Sequence, residues 1–325
     1  MSRPTERAQP ARLSVVIAFH EAHATLPLQL EALCAQVEAP AFDIVVVDNR
    51  SSRSPESIVA EWRRNGLDVR VVEAHRAQGT SYARNVGVSA TRGDVIVFVD
   101  ADDCVGPHFL RSAVDALHTV PVVDGVVRPV PAAEFDRGRE HLWHLLDAGT
   151  DPALTIDAAD HDYPILMGGA CAMTRQVFLE LEGFDQTFFP GAEDNDLALR
   201  IVRSGRAIAR HSGMALAERR RASDGAAFKR AYDAGRMHIA LCARHALWSA
   251  SPHLRDPNWL VDLAKLPVVV ALSALPGTGG DVRRAVASRA GLRLGQAVGM
   301  LTFRVLRRPV PPQLGVGLDD GVSSQ

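Results

Sequence analysis

The chain has 325 residues, of which 47% are hydrophobic and 23% charged, a composition typical of globular proteins that excludes a disordered chain. This length can bury a large core, and we expect one large domain with an appendage. The net charge of -2 hides an asymmetry, because residues 1–199 hold 16 basic and 30 acidic side chains whereas residues 200–310 hold 20 and 6. Either the two halves attract each other, or the basic half meets an anionic lipid, a nucleic acid or a phosphorylated acceptor.

The cysteines and the hydropathy of the chain indicate the cellular compartment in which we expect the protein. The cysteines are widely spaced, mostly within apolar segments and without a C-x-x-C pair, which indicates buried free thiols in a reducing compartment: Cys34, Cys104, Cys171 and Cys242. Residues 1–11 are polar and predict a disordered lead rather than a secretory signal. Residues 259–275 come nearest to a membrane span, but Asp262, Lys265 and Pro267 interrupt them, so we expect a buried or interfacial helix in a cytoplasmic protein.

In the first hundred residues, apolar runs rich in β-branched residues alternate with helical patterns. Strands are predicted at residues 13–19, 42–47, 69–72 and 95–99, and helices at residues 26–37, 54–64 and 81–90. Strands that alternate with helices indicate an α/β fold with a doubly wound, mostly parallel sheet that carries helices on both faces.

Beyond residue 103 the pattern becomes less regular. We expect helices at residues 108–117, 177–181, 197–203 and 226–248, and strands just after Met167 and at residues 206–210. Residues 121–133 are either a strand or an extended connection interrupted by prolines. Residues 134–162 form a mixed helical and loop region without sharp signals. The predicted organisation is a lead (1–11), an α/β domain (12–215), a helical, Arg-rich extension (216–308) and a flexible tail (309–325).

Residues 94–103 read DVIVFVDADD, an apolar run that ends in clustered carboxylates. Such a run is typical of a strand buried on both faces of a parallel sheet, and its C-terminal end opens into the ligand crevice. Asp100, Asp102 and Asp103 would repel one another there unless a hard cation, Mg²⁺ or Mn²⁺ with a substrate diphosphate, compensated their charge. The alternative is a solvated acidic turn that caps the next helix.

A second acidic cluster, EDND at residues 193–196, precedes an amphipathic helix. Capping of that helix explains the cluster when it is taken alone. Together, the two clusters indicate a division of labour, in which one holds a metal diphosphate and the other supplies a carboxylate that accepts a proton from an attacking hydroxyl. Displacement at a sugar anomeric carbon requires this arrangement.

The order of these motifs resembles the family 2 glycosyltransferases of the GT-A fold over about residues 13–215. VVIAFHE at residues 15–21 is similar to the opening motif of the family, and VDNRSS at residues 47–52 is similar to its nucleotide-binding turn without the closing aspartate. Residues 81–103 match most closely. Three further motifs follow in the same order as the acceptor-side motifs of the family: MGGACAMTR, EGFDQTFF and EDNDLALR.

The resemblance implies roles for ten residues of this sequence. Donor binding is implied for Phe19, Asp48, Arg84 and Asp100, metal binding for Asp102, Asp100 and His211, the catalytic base for Asp194, and the acceptor side for Gly168, Gly169 and Glu193. The two glycines are also explained by a tight turn before a strand, and His211 by a surface loop. The implied activity is an inverting, metal-dependent transfer of a sugar from a nucleotide diphosphate to a hydroxyl of a carbohydrate or lipid-linked acceptor, without a nucleic acid partner.

Two alternatives are a sugar nucleotidyltransferase and a non-catalytic nucleotide-sugar-binding protein of the same fold. The first would carry a glycine-rich, basic loop after the first strand, and residues 18–21 (AFHE) are not of that kind. The second would have no need of Asp194. The arginines beyond residue 200 are either solvated helix faces or a peripheral contact with an anionic membrane on its cytoplasmic face.

Overall fold

The computed structural model describes residues 12–147, 153–156, 163–220, 223–252, 254, 259–273 and 279–319; the predicted lead lies outside these residues. The strands are β1 (Leu13–Phe19), β2 (Phe42–Asp48), β3 (Val69–Glu73), β4 (Val95–Asp100), β5 (Cys104–Val105), β6 (Val122–Pro131), β7 (Leu154–Ile156), β8 (Ala170–Thr174) and β9 (Ala209–Arg220). They form one mixed sheet in the order β3-β2-β1-β4-β8-β6-β9-β5, with β7 paired to β9.

Helices connect and cover these strands. They are α1 (Leu26–Cys34), α2 (Glu56–Arg64), α3 (Thr80–Ala90), α4 (Phe109–Leu117), α5 (Ala132–Phe135), α6 (Arg139–Asp147), α7 (Arg175–Glu180), α8 (Glu193–Arg203), α9 (Asp224–His245), α10 (Trp259–Ser273) and α11 (Gly280–Gly299). A 3₁₀ turn covers Gln186–Phe188, and a π-helical segment, Met300–Val305, continues α11.

Strands β1 to β4 form the parallel half of the sheet, as their uninterrupted apolar runs predict. Their register brings the C-terminal ends to one edge, because Phe19 lies opposite Asp48 and Ala18 opposite Asp100. Antiparallel β8 then joins β4 to β6, so the sheet is only mostly parallel.

Each face of the sheet carries its own apolar core, which confirms the predicted doubly wound α/β architecture. Val15 and Ile17 of β1 pack with residues of α1, α2 and α4, whereas Val16 packs on the opposite face with residues of α3, α7 and α8. The alternation follows from the two-residue repeat of a strand.

The predicted strand at residues 206–210 is wrong in its extent. Strand β9 begins at Ala209, runs for 12 residues to Arg220 and pairs with β6 and β5. The domain boundary predicted at residue 215 therefore falls inside a strand of the sheet, and the extension begins only with α9.

The prediction of a flexible tail is also wrong for residues 309–319. The Asn85 side-chain amide donates to the Val316 carbonyl at 2.9 Å, and Gln313 donates its N–H to the Asp185 carboxylate at 3.0 Å. Val316 and Leu318 pack against the core beneath α3. This last described segment is part of the folded domain.

Helices α9 and α11 pack with almost no space between their backbones. A Cβ atom at Gly295 would lie 2.8 Å from the carbonyl carbon of Tyr232, and one at Gly235 would lie 3.2 Å from the Gln296 nitrogen. Such close approach of two helices requires glycine at the contact. In the described ranges, no helix combines the length and the apolar character needed to cross a bilayer.

Candidate functional site

The C-terminal edge of the parallel strands, the start of α8 and the first turns of α9 enclose a cavity of about 880 Å³. This is the crevice that an α/β sheet offers to ligands. Both acidic clusters reach it. The lining residues include Phe19, Arg84, Asp100, Asp102, Gly168 and Asp194.

Arg84 on α3 and Asp100 at the end of β4 form an ion pair, with 2.8 Å between Nη2 and Oδ1. Arg84 is 4% exposed, and its guanidinium lies 5.2 Å from the centroid of the Phe184 ring. Burial opposes the charge of Arg84, but the carboxylates of Asp100 and Glu193 outweigh it and raise the pKa of Arg84. A permanent buried cation therefore stands beside the strand-end carboxylates.

Asp103 differs from its neighbours because it faces inward. Its Oδ1 accepts the Arg219 backbone N–H at 3.0 Å, which joins the end of β4 to β9. Burial, and next the charges of Asp100 and Asp102, raise the pKa of Asp103 well above its ordinary value. All three carboxylates line the cavity, but Asp103 is buried and bonded to β9, so the half-buried Asp100 and Asp102 are the ones available to a ligand.

Gly168 and Gly169 lie between the two acidic clusters. A Cβ atom at Gly169 would stand 2.7 Å from Asp100 Cγ, and one at Gly168 would stand 2.7 Å from Arg84 Nη1 and 3.2 Å from Asp194 Cβ. The two glycines therefore leave room for these three side chains. Gly168 has the arginine on one side and the α8 carboxylate on the other.

Glu193 and Asp194 form the first turn of α8. Asp194 Oδ1 accepts the Asn195 N–H at 2.8 Å, yet burial raises the pKa of Asp194. Burial, and next the charge of Asp194, raise the pKa of Glu193 to about 7, while Gly191 donates its N–H to Glu193 Oε2 at 2.9 Å. This pair holds a proton more readily than ordinary carboxylates do.

Asp124 on β6 is a functional candidate that sequence reasoning missed. Its Oδ1 accepts the Met167 N–H at 2.8 Å, and its Oδ2 lies 3.0 Å from Arg210 Nη2. Burial raises the pKa of Asp124 to about 6. Because Met167 precedes the glycine pair, Asp124 fixes the turn between the acidic clusters. A single aspartate inside the apolar run VVDGVV was the available signal.

The wall beyond Asp194 contains a second missed group. Tyr163 Oη lies 2.8 Å from His238 Nδ1, and His238 Nε2 lies 2.7 Å from Ser251 Oγ. All three are buried, and Tyr163 and His238 line the cavity. This series of hydrogen bonds connects the cavity wall to α9, and no local sequence motif predicts it.

The turn after β2 places Asn49, rather than Asp48, at the cavity. Asp48 is buried, accepts the Ser51 N–H at 3.1 Å and does not line the cavity. Asn49 donates to the Ala77 carbonyl at 2.8 Å and accepts the Gly79 N–H at 2.8 Å. Asp48 therefore stabilises its own turn, while Asn49 holds the loop that leads to α3.

His211 does not join the acidic cluster, which corrects the ligand set that the sequence predicted. It lies within β9 opposite Leu154 of β7, and its Nδ1 accepts the Gly213 N–H at 3.0 Å. The register of β9 against β6 breaks between Arg210 and Ala215, so His211 lies at an irregularity of the strand, and it is not among the residues that line the cavity. The error arose because the strand was expected to end at residue 210.

The donor set was tested for its fit to a divalent ion. Among the described residues, no three His, Cys, Asp or Glu side chains converge to hold a metal by themselves. Mg²⁺, however, usually takes one or two carboxylates together with substrate phosphates. Asp102 and Asp100 at an open cavity fit an ion that is shared with a diphosphate.

The free thiols are only partly as expected. Cys104, Cys171 and Cys242 are buried, and Cys34 on α1 is exposed. Burial raises the pKa of the Cys104 thiol to about 12. The buried thiols are therefore packing groups.

Two protein-family models match this chain. Residues 14–181 match Glycosyl transferase family 2, and residues 155–222 match the N-terminal domain of galactosyltransferase. An uncharacterized glycosyltransferase of Haemophilus influenzae is 24% identical over 58% of this chain, and the match spans 62% of that relative's length.

Solved structures share the fold. The mannosyltransferase PcManGT from Pyrobaculum calidifontis, in complex with GDP-Man and Mn²⁺, superposes with a TM-score of 0.63 at 20% identity, over 92% of this chain and 91% of that one. TarS from S. aureus, in complex with UDP-GlcNAc, gives a TM-score of 0.51 at 17% identity, over 88% and 90%. The family match covers more than half of the chain, and the neighbours have the GT-A architecture expected from the sequence. The chain therefore belongs to glycosyl transferase family 2, a family of transferase enzymes.

Proposed function

We propose that this protein is an inverting glycosyltransferase that moves a sugar from a nucleotide diphosphate to an acceptor hydroxyl with the help of a divalent ion. One observation carries the proposal. Two carboxylate clusters in different environments meet across Gly168 and Gly169 in one cavity. One is held beside a permanent cation at a strand end, and the other is a half-buried pair whose pKa values are raised by desolvation.

The strand-end cluster would bind the donor. Asp102, with Asp100, would hold Mg²⁺ or Mn²⁺, and such an ion supplies positive charge that neutralises a departing diphosphate. Arg84 holds the Asp100 carboxylate in place through their 2.8 Å ion pair. Phe19 and Asn49 line the same side and would contact the nucleoside.

Asp194 would act as the general base. Its carboxylate lies across Gly168 from Arg84, away from the strand-end cluster. It would accept the proton of the acceptor hydroxyl while the hydroxyl oxygen forms its bond to the anomeric carbon and the bond to the diphosphate breaks. The transition state carries oxocarbenium character, and attack from the side opposite the leaving group inverts the anomeric centre.

The acceptor would enter along the wall built by Tyr163, His238 and the first turns of α9. Lys229 and Arg230 on α9 also line the cavity, paired with Asp233 at 2.6 Å and Glu218 at 3.1 Å. Polar and charged groups on an open wall suit a carbohydrate or a lipid-linked saccharide.

The nucleotide class can be tested by thermal shift. PcManGT was solved with GDP-Man and TarS with UDP-GlcNAc, so the panel should hold GDP, UDP, dTDP and CDP, each with and without Mn²⁺. We expect one nucleotide to stabilise the protein only when Mn²⁺ is present. Equal stabilisation by all, or by none, would contradict the proposed donor site.

The reaction is tested by incubating the matching nucleotide sugar with Mn²⁺ and following nucleoside diphosphate release. Release of pyrophosphate from a nucleoside triphosphate and a sugar phosphate would instead identify a nucleotidyltransferase.

A further inference from the structure

The second half of α10 is apolar on every side and yet exposed on every side. Residues 267–271 read PVVVA, and each of them is exposed, with Val268 at 62% and Val270 at 45%. Five consecutive residues cover more than one helical turn, so no side of this segment faces the protein core. A helix that is hydrophobic all round normally lies inside a protein or in lipid.

The first half of α10 is fixed to the protein by charge. Asp262 lies 2.6 Å from Arg289 Nη2 and 2.9 Å from Arg293 Nη2 on α11, and Leu266 is buried. The two hydrogen bonds hold the pKa of Asp262 below its ordinary value. The helix is therefore anchored at one end and projects its apolar end away from the core.

The end of α11 continues this exposed apolar surface. Leu294, Val298, Leu301 and Val305 are exposed and follow one another at intervals of three or four residues, which places them on one side of the helix. The close glycine packing of α11 on α9 fixes this helix as part of a rigid pair.

The segment that follows α11 is basic. The arginines of α11 already pair with acidic side chains, Arg283 with Asp224, Arg284 with Asp281, and Arg289 and Arg293 with Asp262. From Gly299 to Arg308, however, the chain contains three exposed arginines, Arg304, Arg307 and Arg308, and neither aspartate nor glutamate. Arg307 and Arg308 are exposed beside the exposed Leu306. Apolar side chains next to arginines are the composition of segments that lie in the interface of an anionic membrane.

We propose that the apolar end of α10 and the exposed side of α11 dock on an anionic lipid surface. Charge complementarity selects this occupant, because a second copy would have to bring the three exposed arginines, Arg304, Arg307 and Arg308, against their own counterparts. The helices would lie in the interface and not cross it. Docking does not depend on the proposed transfer reaction, since it is measured without donor or acceptor.

The test is co-sedimentation of the full-length protein with vesicles of phosphatidylcholine alone, or of phosphatidylcholine with phosphatidylglycerol, in about 0.1 M salt. We expect at least tenfold stronger partition onto the anionic vesicles, falling severalfold in about 0.5 M salt. Equal partition onto both kinds of vesicle, or none, would overturn the proposal.

Matched variants separate the contribution of the apolar surface to vesicle binding from the contribution of the positive charge. Val268→Asn with Val270→Asn removes apolar surface at constant charge, and Arg307→Gln with Arg308→Gln removes charge; each double variant should bind about tenfold more weakly. Val37→Asn with Leu179→Asn, and Arg64→Gln with Arg92→Gln, make the same changes at exposed positions of the α/β domain and should bind like the wild type.

Unchanged melting temperatures and nucleotide-induced shifts would show that the variants are folded. If the α10 variant binds vesicles like the wild type, docking through this surface is wrong. A concentration-dependent dimer in sedimentation velocity that the α10 variant abolishes would assign the surface to a second copy instead.

Discussion

The two acidic clusters of the cavity contain the same residue types in opposite settings. Asp100 and Asp102 end a parallel strand and open to the cavity, and Arg84 lies 2.8 Å from Asp100. Glu193 and Asp194 begin a helix, and burial raises the pKa values of both. The first setting favours a charged carboxylate that binds a cation, and the second favours a carboxyl that takes up a proton.

The position of each cluster in the fold, rather than its sequence, therefore determines its chemical properties. DADD and EDND look alike as strings of letters. At the strand end a guanidinium pairs directly with a carboxylate, whereas at the helix start desolvation raises the pKa values of both carboxyls. The following variants test whether the clusters are distinct in this way.

The largest effect is expected for Asp194→Asn. The amide cannot accept the proton, so kcat should fall by about 10² to 10⁴ while the Mn²⁺-dependent thermal shift with nucleotide stays close to the wild-type value. Asp115→Asn, at the exposed partner of Arg111, is the control and should leave both unchanged. Loss of nucleotide binding together with kcat would mean that Asp194 belongs to the donor side.

Asp102→Asn should act on the other cluster. Because an amide is a poor ligand for a hard cation, the Mn²⁺ concentration that gives half-maximal nucleotide stabilisation should rise at least tenfold. Asp103→Asn is the matched comparison, since that buried carboxyl has a raised pKa and accepts a backbone N–H. Equal effects of the two variants would contradict the assignment of Asp102.

A smaller effect is expected for Gly169→Ala, which places a methyl group against the Asp100 carboxylate. The new methyl group would stand 2.7 Å from Asp100 Cγ and displace the carboxylate from Arg84. We expect a loss of about 1–3 kcal/mol in the free energy of unfolding, together with weaker donor binding. Gly225→Ala in α9 meets no atom within 4 Å and should be neutral or slightly stabilising. Denaturant unfolding measures both.

The smallest effect is the pH dependence of Glu193→Gln. The folded-state pKa of about 7 lies above the ordinary value of 4.5, so this carboxyl lowers the free energy of unfolding as the pH rises from about 4.5 to about 7. Because glutamine does not ionise, the free energy of unfolding of the variant does not decrease for this reason as the pH rises. It should be more stable than the wild type by about 1–2 kcal/mol at pH 8 and equal to it near pH 4.5. A constant difference across this range would contradict the raised pKa.

The parallel half of the fold could be read from the sequence because its strands are uninterrupted apolar runs. LSVVIAF and VIVFVD leave no other periodicity, and both form strands at the predicted positions. The position of Asp100 to Asp103 at a strand end followed from the same pattern.

The antiparallel half was harder to predict because its strands are only half buried. ARHSGMALAERR contains arginine, histidine, serine and glycine, so the length of β9 could not be read, and His211 was placed after a strand rather than within one. Tyr163 and His238 come from segments 75 residues apart, and only tertiary packing brings them together.

The segment from Val310 to Leu318 has a consequence for how the chain is synthesised. Asn85, which follows Arg84 in α3, bonds both the Phe184 backbone at 2.9 Å and the Val316 carbonyl at 2.9 Å. A ribosome releases residue 316 long after residue 85. The helix that carries Arg84 thus receives these tertiary contacts only after residue 316 has left the ribosome, and until then the arginine beside the strand-end carboxylates lacks part of its support.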